Sequence, residues 1–209
     1  EMLFAFDFFN KMFPDAVPLM PTLLEDYFAN PAASLATIRC FPWGFEDKLI
    51  LLGDAAHGIV PFFGLGMNCG FEDCVALDRL IPNPSIQEER SNTAAWEHAF
   101  SAFEKLRKPD ADAIADLAIE NYIEMRDKVA DPKFLLQKKI EARFSEKYPD
   151  KWTPLYVMVT YRSDMRYSEA QHKGKEQDEI MRKVMSMSYI DKKWDREEVE
   201  KELLRMLYH

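Results

Sequence analysis

The sequence predicts a mostly helical protein with a few short strands. From residue 93 onward, apolar side chains recur at steps of three or four through almost every stretch between prolines. Only two short runs, residues 36–40 and 49–52, read as strands instead. With 47% hydrophobic residues in a chain of 209, there is enough apolar surface for a real core.

Residues 3–13 and 22–28 have helical spacing and are broken by Pro14, Pro18 and Pro21, which gives two short helices. Residues 36–40 form the first expected strand, after Pro31, and residues 49–52 form a buried second strand that stops at Gly53. Over 67–81 the side chains of Phe71, Cys74, Leu77 and Ile81 fall on one helical face and predict a buried stripe, closed by Pro82 and Pro84. The polar run PNPSIQEERSN reads as a loop. Beyond it, helices are expected near 93–107, 110–130, 132–147, 154–160 and 176–208. The last carries a narrow apolar stripe of Trp194, Val199, Leu203 and Leu207, which predicts a solvated helix docked on its neighbour.

The net charge of -9 leaves no basic stripe for a phosphate backbone, so nucleic acid is not an expected partner. Three cysteines, Cys40, Cys69 and Cys74, do not make a disulfide framework and point to a reducing, intracellular setting. No apolar segment approaches the roughly 18 residues of a membrane span. The opening residues have neither the basic region nor the cleavage site of a signal peptide, and Glu1 is not an initiator methionine, so the chain is expected to begin inside a longer one.

The chemistry concentrates in LLGDAAHGIVPFFGLGMNCGFED, residues 51–73. A strand ending in Gly-Asp puts the carboxylate of Asp54 at the strand's carboxyl end, where it can accept hydrogen bonds from sugar-like hydroxyls. Gly64 and Gly66 permit close backbone approach, Pro61 stiffens the entrance, and a helix starting near Met67 turns free N–H groups toward the same spot. Together they suit a polyol tail joined to an electron-poor ring. His57 reads as structural, and Cys69 and Cys74, without nearby histidines, read as packing, so no metal site is expected.

In this order and spacing, GDAAH, Pro61, GLGMN and FED resemble the second flavin signature of the single-component aromatic hydroxylases. The upstream FDFFNKMFPDAVPL and the downstream DLAIENYIEMRDKV, PKFLLQKKIEARF and WTPLYVMVTYRSDMRYSEA are similar to the kynurenine 3-monooxygenase family, from about residue 4 to 172. The resemblance implies the carboxyl-terminal half of an α/β enzyme built from a doubly wound FAD-binding domain and a substrate domain. Residues 1–47 would then end the substrate-binding sheet domain, 48–108 close the FAD-binding domain, and 109–209 form a helical carboxyl-terminal region. It also implies FAD as cofactor, NADPH as cosubstrate and hydroxylation of L-kynurenine to 3-hydroxykynurenine, with the amino-terminal half of the parent as the missing partner and the mitochondrial outer membrane as location.

Residue by residue, the resemblance assigns Asp54 to the ribityl chain, Met67 and Asn68 to the flavin ring, Pro61 and Phe62 to a dry wall between flavin and substrate, and Asn121 and Tyr156 to the substrate. No side chain is assigned an acid or base role. Asn121 falls on the stripe of Ile114, Leu117, Ala118 and Met125, where an unpaired amide costs about 1–3 kcal/mol, so it should have a partner. Tyr156, in PLYVMV, is expected to be a buried phenol that also needs one. Three features depart from the family. No GxGxxG turn is present, the family's hydrophobic carboxyl-terminal anchor has no counterpart, and Leu65 replaces a glutamine near the reacting ring. The alternatives are a related flavin hydroxylase with another aromatic substrate, which NYIEMR and PLY oppose, and a truncated, non-catalytic binding product.

Overall fold

The computed structural model describes residues 2–83 and 85–208; Glu1, Pro84 and His209 lie outside it. The chain divides into two compact units, Glu1–Leu35 and Ala36–His209. In the first, helix α1 (Met2–Met12) and helix α2 (Leu23–Ala29) are joined by a 3-10 turn at Val17–Leu19. Phe9 meets Tyr27 edge-on at 5.8 Å across the pair. Both helices fall where the proline breaks put them.

The second unit opens with a departure. Residues 36–40 form no strand; instead Ile38 N–H donates to the Gly58 carbonyl at 2.8 Å and Cys40 N–H to that of Ala56 at 3.0 Å. These bonds run to the far end of a helical turn and not to a neighbouring strand, so no ladder develops. The strand expected at 49–52 shortens to β2 (Leu49–Ile50), which pairs antiparallel with β1 (Gly44–Phe45) in the register Gly44↔Ile50 and Phe45↔Leu49. It is not a buried central strand: Leu49 is exposed, and Ile50 to Leu52 are half-buried.

Helix α3 (Asp54–His57) follows at once, then α4 (Gly66–Asp78). The buried face of α4 is not the one expected. Phe71 and Cys74 are exposed, while Cys69 and Asp73 are buried. A buried ion pair from Asp73 to Arg107 decides the rotation, against the apolar pattern. Within the run read as a loop, Gln87–Arg90 forms one helical turn, α5.

Helix α6 (Thr93–Ile123) runs unbroken through Pro109 and continues as a π-helical turn at Glu124–Lys128, so the two helices expected at 93–107 and 110–130 are one. Proline removes one donor and crowds the preceding turn. Here the flanking turns are held by buried contacts of Phe103, Arg107, Ala111 and Ile114, which offset that cost. Asn92 caps its start, its side chain accepting from Ala95 N–H at 3.1 Å. Helices α7 (Pro132–Lys147) and α8 (Leu155–Tyr161) match the expected spans, and Asp131 caps α7. The single helix expected at 176–208 is instead α9 (Tyr167–Met185), α10 (Ile190–Lys193) and α11 (Glu197–Leu207).

Three apolar clusters result. One joins α4, α6, α8 and α9 through Cys69, Ile114, Leu117, Met158 and Ala170. A second surrounds Trp43, Ala56 and Phe103. A third gathers α7, α9, α10 and α11 around Phe144, Trp152, Met181, Val199 and Leu203, so the docking stripe of the last segment packs as its spacing predicts.

Candidate functional site

The turn at residues 53–73 is built around two glycines. Gly53 has φ +53, in the left-handed region that favours glycine, and a Cβ there would sit 3.8 Å from the Cα of Gly70. This close approach lays the start of α3 against the first turns of α4. Asp54 follows Gly53, and Met67 and Asn68 precede Gly70 by less than one turn; all three expected cofactor residues are exposed. Leu65 caps α4 without a side-chain bond, and the first bond into the helix runs from Cys69 N–H to the Leu65 carbonyl at 2.9 Å. The N–H groups of Gly66, Met67 and Asn68 therefore remain as donors at the positive end of the helix.

Beneath this surface lies a buried polar network that the sequence reading did not include. Asp73, fully buried, accepts from Gly53 N–H at 3.2 Å, from His57 Nε2 at 2.5 Å and from Arg107 Nε at 2.7 Å. Arg107, nearly buried on α6, also donates to the Cys69 carbonyl at 3.3 Å and to Glu72 at 3.0 Å, and lies 3.5 Å from Asp110. Asp110 in turn accepts from Arg166 Nε and from the Ser168 hydroxyl at the start of α9, while Tyr167 O–H donates to Glu72 at 2.8 Å. Burial alone would raise the Asp73 carboxyl; the hydrogen bonds from His57 and Arg107 hold it below the ordinary aspartate range. Burial pushes the Cys69 thiol up to about 12, so it stays protonated and inert.

His57, Cys69 and Asp73 lie close enough to ligate an ion. The Arg107 guanidinium already occupies Asp73 and sits 3.6 Å from the Cys69 sulfur, and a second cation would meet it there. His57 is thus a packed residue held by Asp73.

The PFFG turn makes a second focus. Phe62 packs on Tyr122 at 4.4 Å between ring centroids, and Phe63 stacks on Tyr156 at 5.7 Å and 21°. Asn121 does have a partner: its Nδ2 donates to the Phe62 carbonyl at 2.7 Å, tying α6 to the turn. Its Oδ1 is left as an acceptor. Tyr156 corrects the expectation of a buried phenol, being 54% exposed with its ring, not its hydroxyl, engaged. Asn121 and Tyr156 line one cavity of about 600 Å³ together with Phe63, Leu117 and Leu155. Pro61 is exposed at the head of the turn, and its carbonyl accepts from Gly64 N–H at 3.1 Å. Leu65, whose glutamine counterpart was expected beside the ring, is 7% exposed and packs in the first apolar cluster. Asn68 lines a second, more open groove with Phe71 and Glu72; Asp54 and Met67 line neither cavity.

Residues 31–94 match the FAD binding domain family. The chain is 48% identical over 201 residues to the kynurenine 3-monooxygenase of Flavobacterium johnsoniae, covering 96% of this chain and 43% of that protein. The namesake from Flavobacterium psychrophilum is also 48% identical, over 200 residues and the same shares. That of Myxococcus xanthus is 47% identical over 154 residues, 74% of this chain and 31% of that protein. Over nearly its whole length the chain is similar to these kynurenine 3-monooxygenases. It spans less than half the length of these relatives. The site geometry fits the flavin that the domain match implies: Asp54 offers an exposed acceptor, α4 offers free donors, and Gly64 and Gly66 have open space where a side chain would lie. Among the described residues, no helix is long and apolar enough to cross a membrane.

Proposed function

We propose that this chain is part of an FAD-dependent, NADPH-consuming monooxygenase that hydroxylates L-kynurenine to 3-hydroxykynurenine. What supports the reading is the close approach of Gly53 and Gly70, with exposed Asp54, Met67 and Asn68 near them in the chain, inside a segment that matches an FAD binding domain. Residues 48–108 hold the flavin portion in this reading, flanked by residues 1–47 and 109–209.

Bound FAD, once reduced by NADPH, supplies the oxygen activation. The chain's own residues bind and orient. Asp54 accepts from ribityl hydroxyls, and the free N–H groups at Gly66 to Asn68 favour partial negative charge on the flavin ring. Pro61 and Phe62 form an apolar wall that keeps water from the reacting face. Asn121 holds that wall in place through the Phe62 carbonyl and turns its remaining acceptor, Oδ1, toward the substrate, while Tyr156 offers its free hydroxyl. No side chain here needs to move a proton.

The test joins this chain to the remainder that its relatives carry and couples NADPH consumption to 3-hydroxykynurenine formation. Asn121→Ala should raise the KM for L-kynurenine with flavin content unchanged, and Asp54→Ala should lose flavin. Product formation from other aromatic acids but not from L-kynurenine would assign a different substrate.

A further inference from the structure

One side chain outside the proposed chemistry is bonded to both parts of the flavin turn. Arg107, 7% exposed on α6, engages all three of its guanidinium nitrogens. Nε donates to Asp73 Oδ1 at 2.7 Å, Nη2 donates to the Cys69 carbonyl at 3.3 Å and to Glu72 at 3.0 Å, and Nη1 lies 3.5 Å from Asp110. The Asp73 carboxylate divides its two oxygens. Oδ1 takes Arg107, which leaves Oδ2 to accept from Gly53 N–H at 3.2 Å and His57 Nε2 at 2.5 Å. Gly53, at φ +53, immediately precedes Asp54. Glycine adopts such a φ without strain but does not select it, so a bond from outside the turn has to do so. The Cys69 carbonyl belongs to the first turn of α4, which also carries Met67 and Asn68.

We propose that Arg107 is a positioning residue for the flavin: through Asp73 it sets the Gly53 turn that leads into Asp54, and through the Cys69 carbonyl and Glu72 it sets the first turns of α4. The inference rests on the flavin reading of this segment and adds to it a residue from another helix that does not itself touch the cofactor. A lysine would balance the same carboxylates as a point charge, but it lacks the rigid fork that reaches two carboxylates and a carbonyl at once. Direction, and not charge alone, is what Arg107 supplies. Glu72 braces the guanidinium from the surface: its side chain is half exposed, and its other oxygen accepts from Tyr167 O–H at 2.8 Å. It also separates two explanations. FAD is an anion, so if only charge counted, neutralising Glu72 would tighten FAD binding, whereas loss of the brace weakens it.

The experiment takes the chain joined to the remainder that its relatives carry and measures FAD affinity by flavin fluorescence, the midpoint potential of the bound flavin, and urea unfolding. Arg107→Lys keeps the charge and should weaken FAD by about tenfold or more, the worth of one charge-assisted bond. It should also lower the midpoint potential, because the α4 donors that favour negative charge on the reduced ring lose their alignment. Glu72→Gln, at a half-exposed position that does not threaten folding, should weaken FAD as well. Leu203→Ala, in the third apolar cluster, should lose stability but keep wild-type FAD affinity and potential. If FAD affinity falls as much in Leu203→Ala as in Arg107→Lys, the effect is one of stability and the proposal is overturned. Asp54→Ala tells the two readings apart. If that variant retains FAD, the flavin reading fails and takes this inference with it. If it loses FAD while Arg107→Lys and Glu72→Gln bind as wild type at an unchanged potential, this inference alone is overturned. Should Arg107→Lys not fold, Glu72→Gln decides, and equal or tighter binding of FAD overturns the proposal.

Discussion

The surface that offers Asp54, Met67 and Asn68 rests on buried charge, whereas the carboxyl-terminal helices rest on buried hydrocarbon. Under the first, Asp73 gathers Gly53, His57 and Arg107 around one carboxylate. In the second, Phe144, Trp152, Met181 and Leu203 pack without polar partners at their centre, and the ion pairs from Glu200 to Arg143 and Lys147 lie at the edge. The contrast follows from what each region has to fix. Apolar packing holds helices together but tolerates small slides, while hydrogen bonds of fixed direction hold a backbone to a particular geometry. The turn that presents a carboxylate next to free N–H groups needs the second kind of constraint.

Asp73→Asn should give the largest effect. It leaves Arg107 buried beside a neutral group and weakens the hold on Gly53 and His57, so a loss of about 3–5 kcal/mol is expected in urea unfolding. The pH dependence has a definite sign. Because the folded Asp73 carboxyl titrates below the ordinary value of 3.8, its contribution is complete above that value and is lost as pH falls through the folded one. Wild type should therefore lose stability in acid below about pH 4, and the variant, which keeps the lowered carboxyls of Asp116, Asp164 and Glu200, should show a shallower limb. An identical acid limb in both would show that the turn does not depend on this carboxylate.

Leu203→Ala probes the other region. Removing a side chain that is 1% exposed from the third apolar cluster should cost about 2–5 kcal/mol through lost burial and a residual cavity. The loss should be the same at neutral pH and in acid, which is where the two regions part. A pH-dependent loss here would mean that the clusters share more charge than the contacts show.

Leu65→Gln tests the boundary between them. The resemblance makes glutamine the expected residue, but Leu65 sits in the apolar cluster with Cys69 and Tyr167. A buried amide without a partner there costs about 1–3 kcal/mol. Thermal unfolding should show the loss; equal or greater stability would mean that the amide finds a partner at the mouth of the turn.

The sequence carries these regions unequally. Helices with a clean apolar period and a proline or cap at the end, such as α7 with Asp131 and Pro132, read correctly. The break assigned at Pro109 did not occur, because tertiary packing of Phe103, Arg107 and Ala111 overrides a local preference. The face of α4 was misread for a related reason: the apolar stripe of Phe71 and Cys74 is a local signal, while the partner that turns Asp73 inward lies 34 residues away. The GDAAH and GLGMN runs revealed the turn, since glycine spacing is a backbone requirement written locally. The network beneath it has no such signature. Its members come from four elements, and nothing in the chain order pairs His57 with Asp73 or Arg107 with Asp110 and Glu72.

The smallest expected effect is the most diagnostic for Tyr156. Its ring stacks on Phe63 at 5.7 Å, but the residue is 54% exposed and its hydroxyl makes no hydrogen bond among the described residues. Tyr156→Phe keeps the stacked ring and removes only that hydroxyl, so stability should change by less than about 0.5 kcal/mol, the scale of an ordinary surface substitution. In the completed enzyme the same substitution should weaken L-kynurenine by about 0.5–1.5 kcal/mol, one hydrogen bond, with flavin content unchanged. The two measurements together separate the roles. A stability loss with unchanged substrate affinity would make the hydroxyl part of the packing, in line with the apolar region. Unchanged stability with weakened substrate would make it a polar group held free of the fold for a ligand, and would extend to the cavity the logic that leaves Asp54 exposed at the turn.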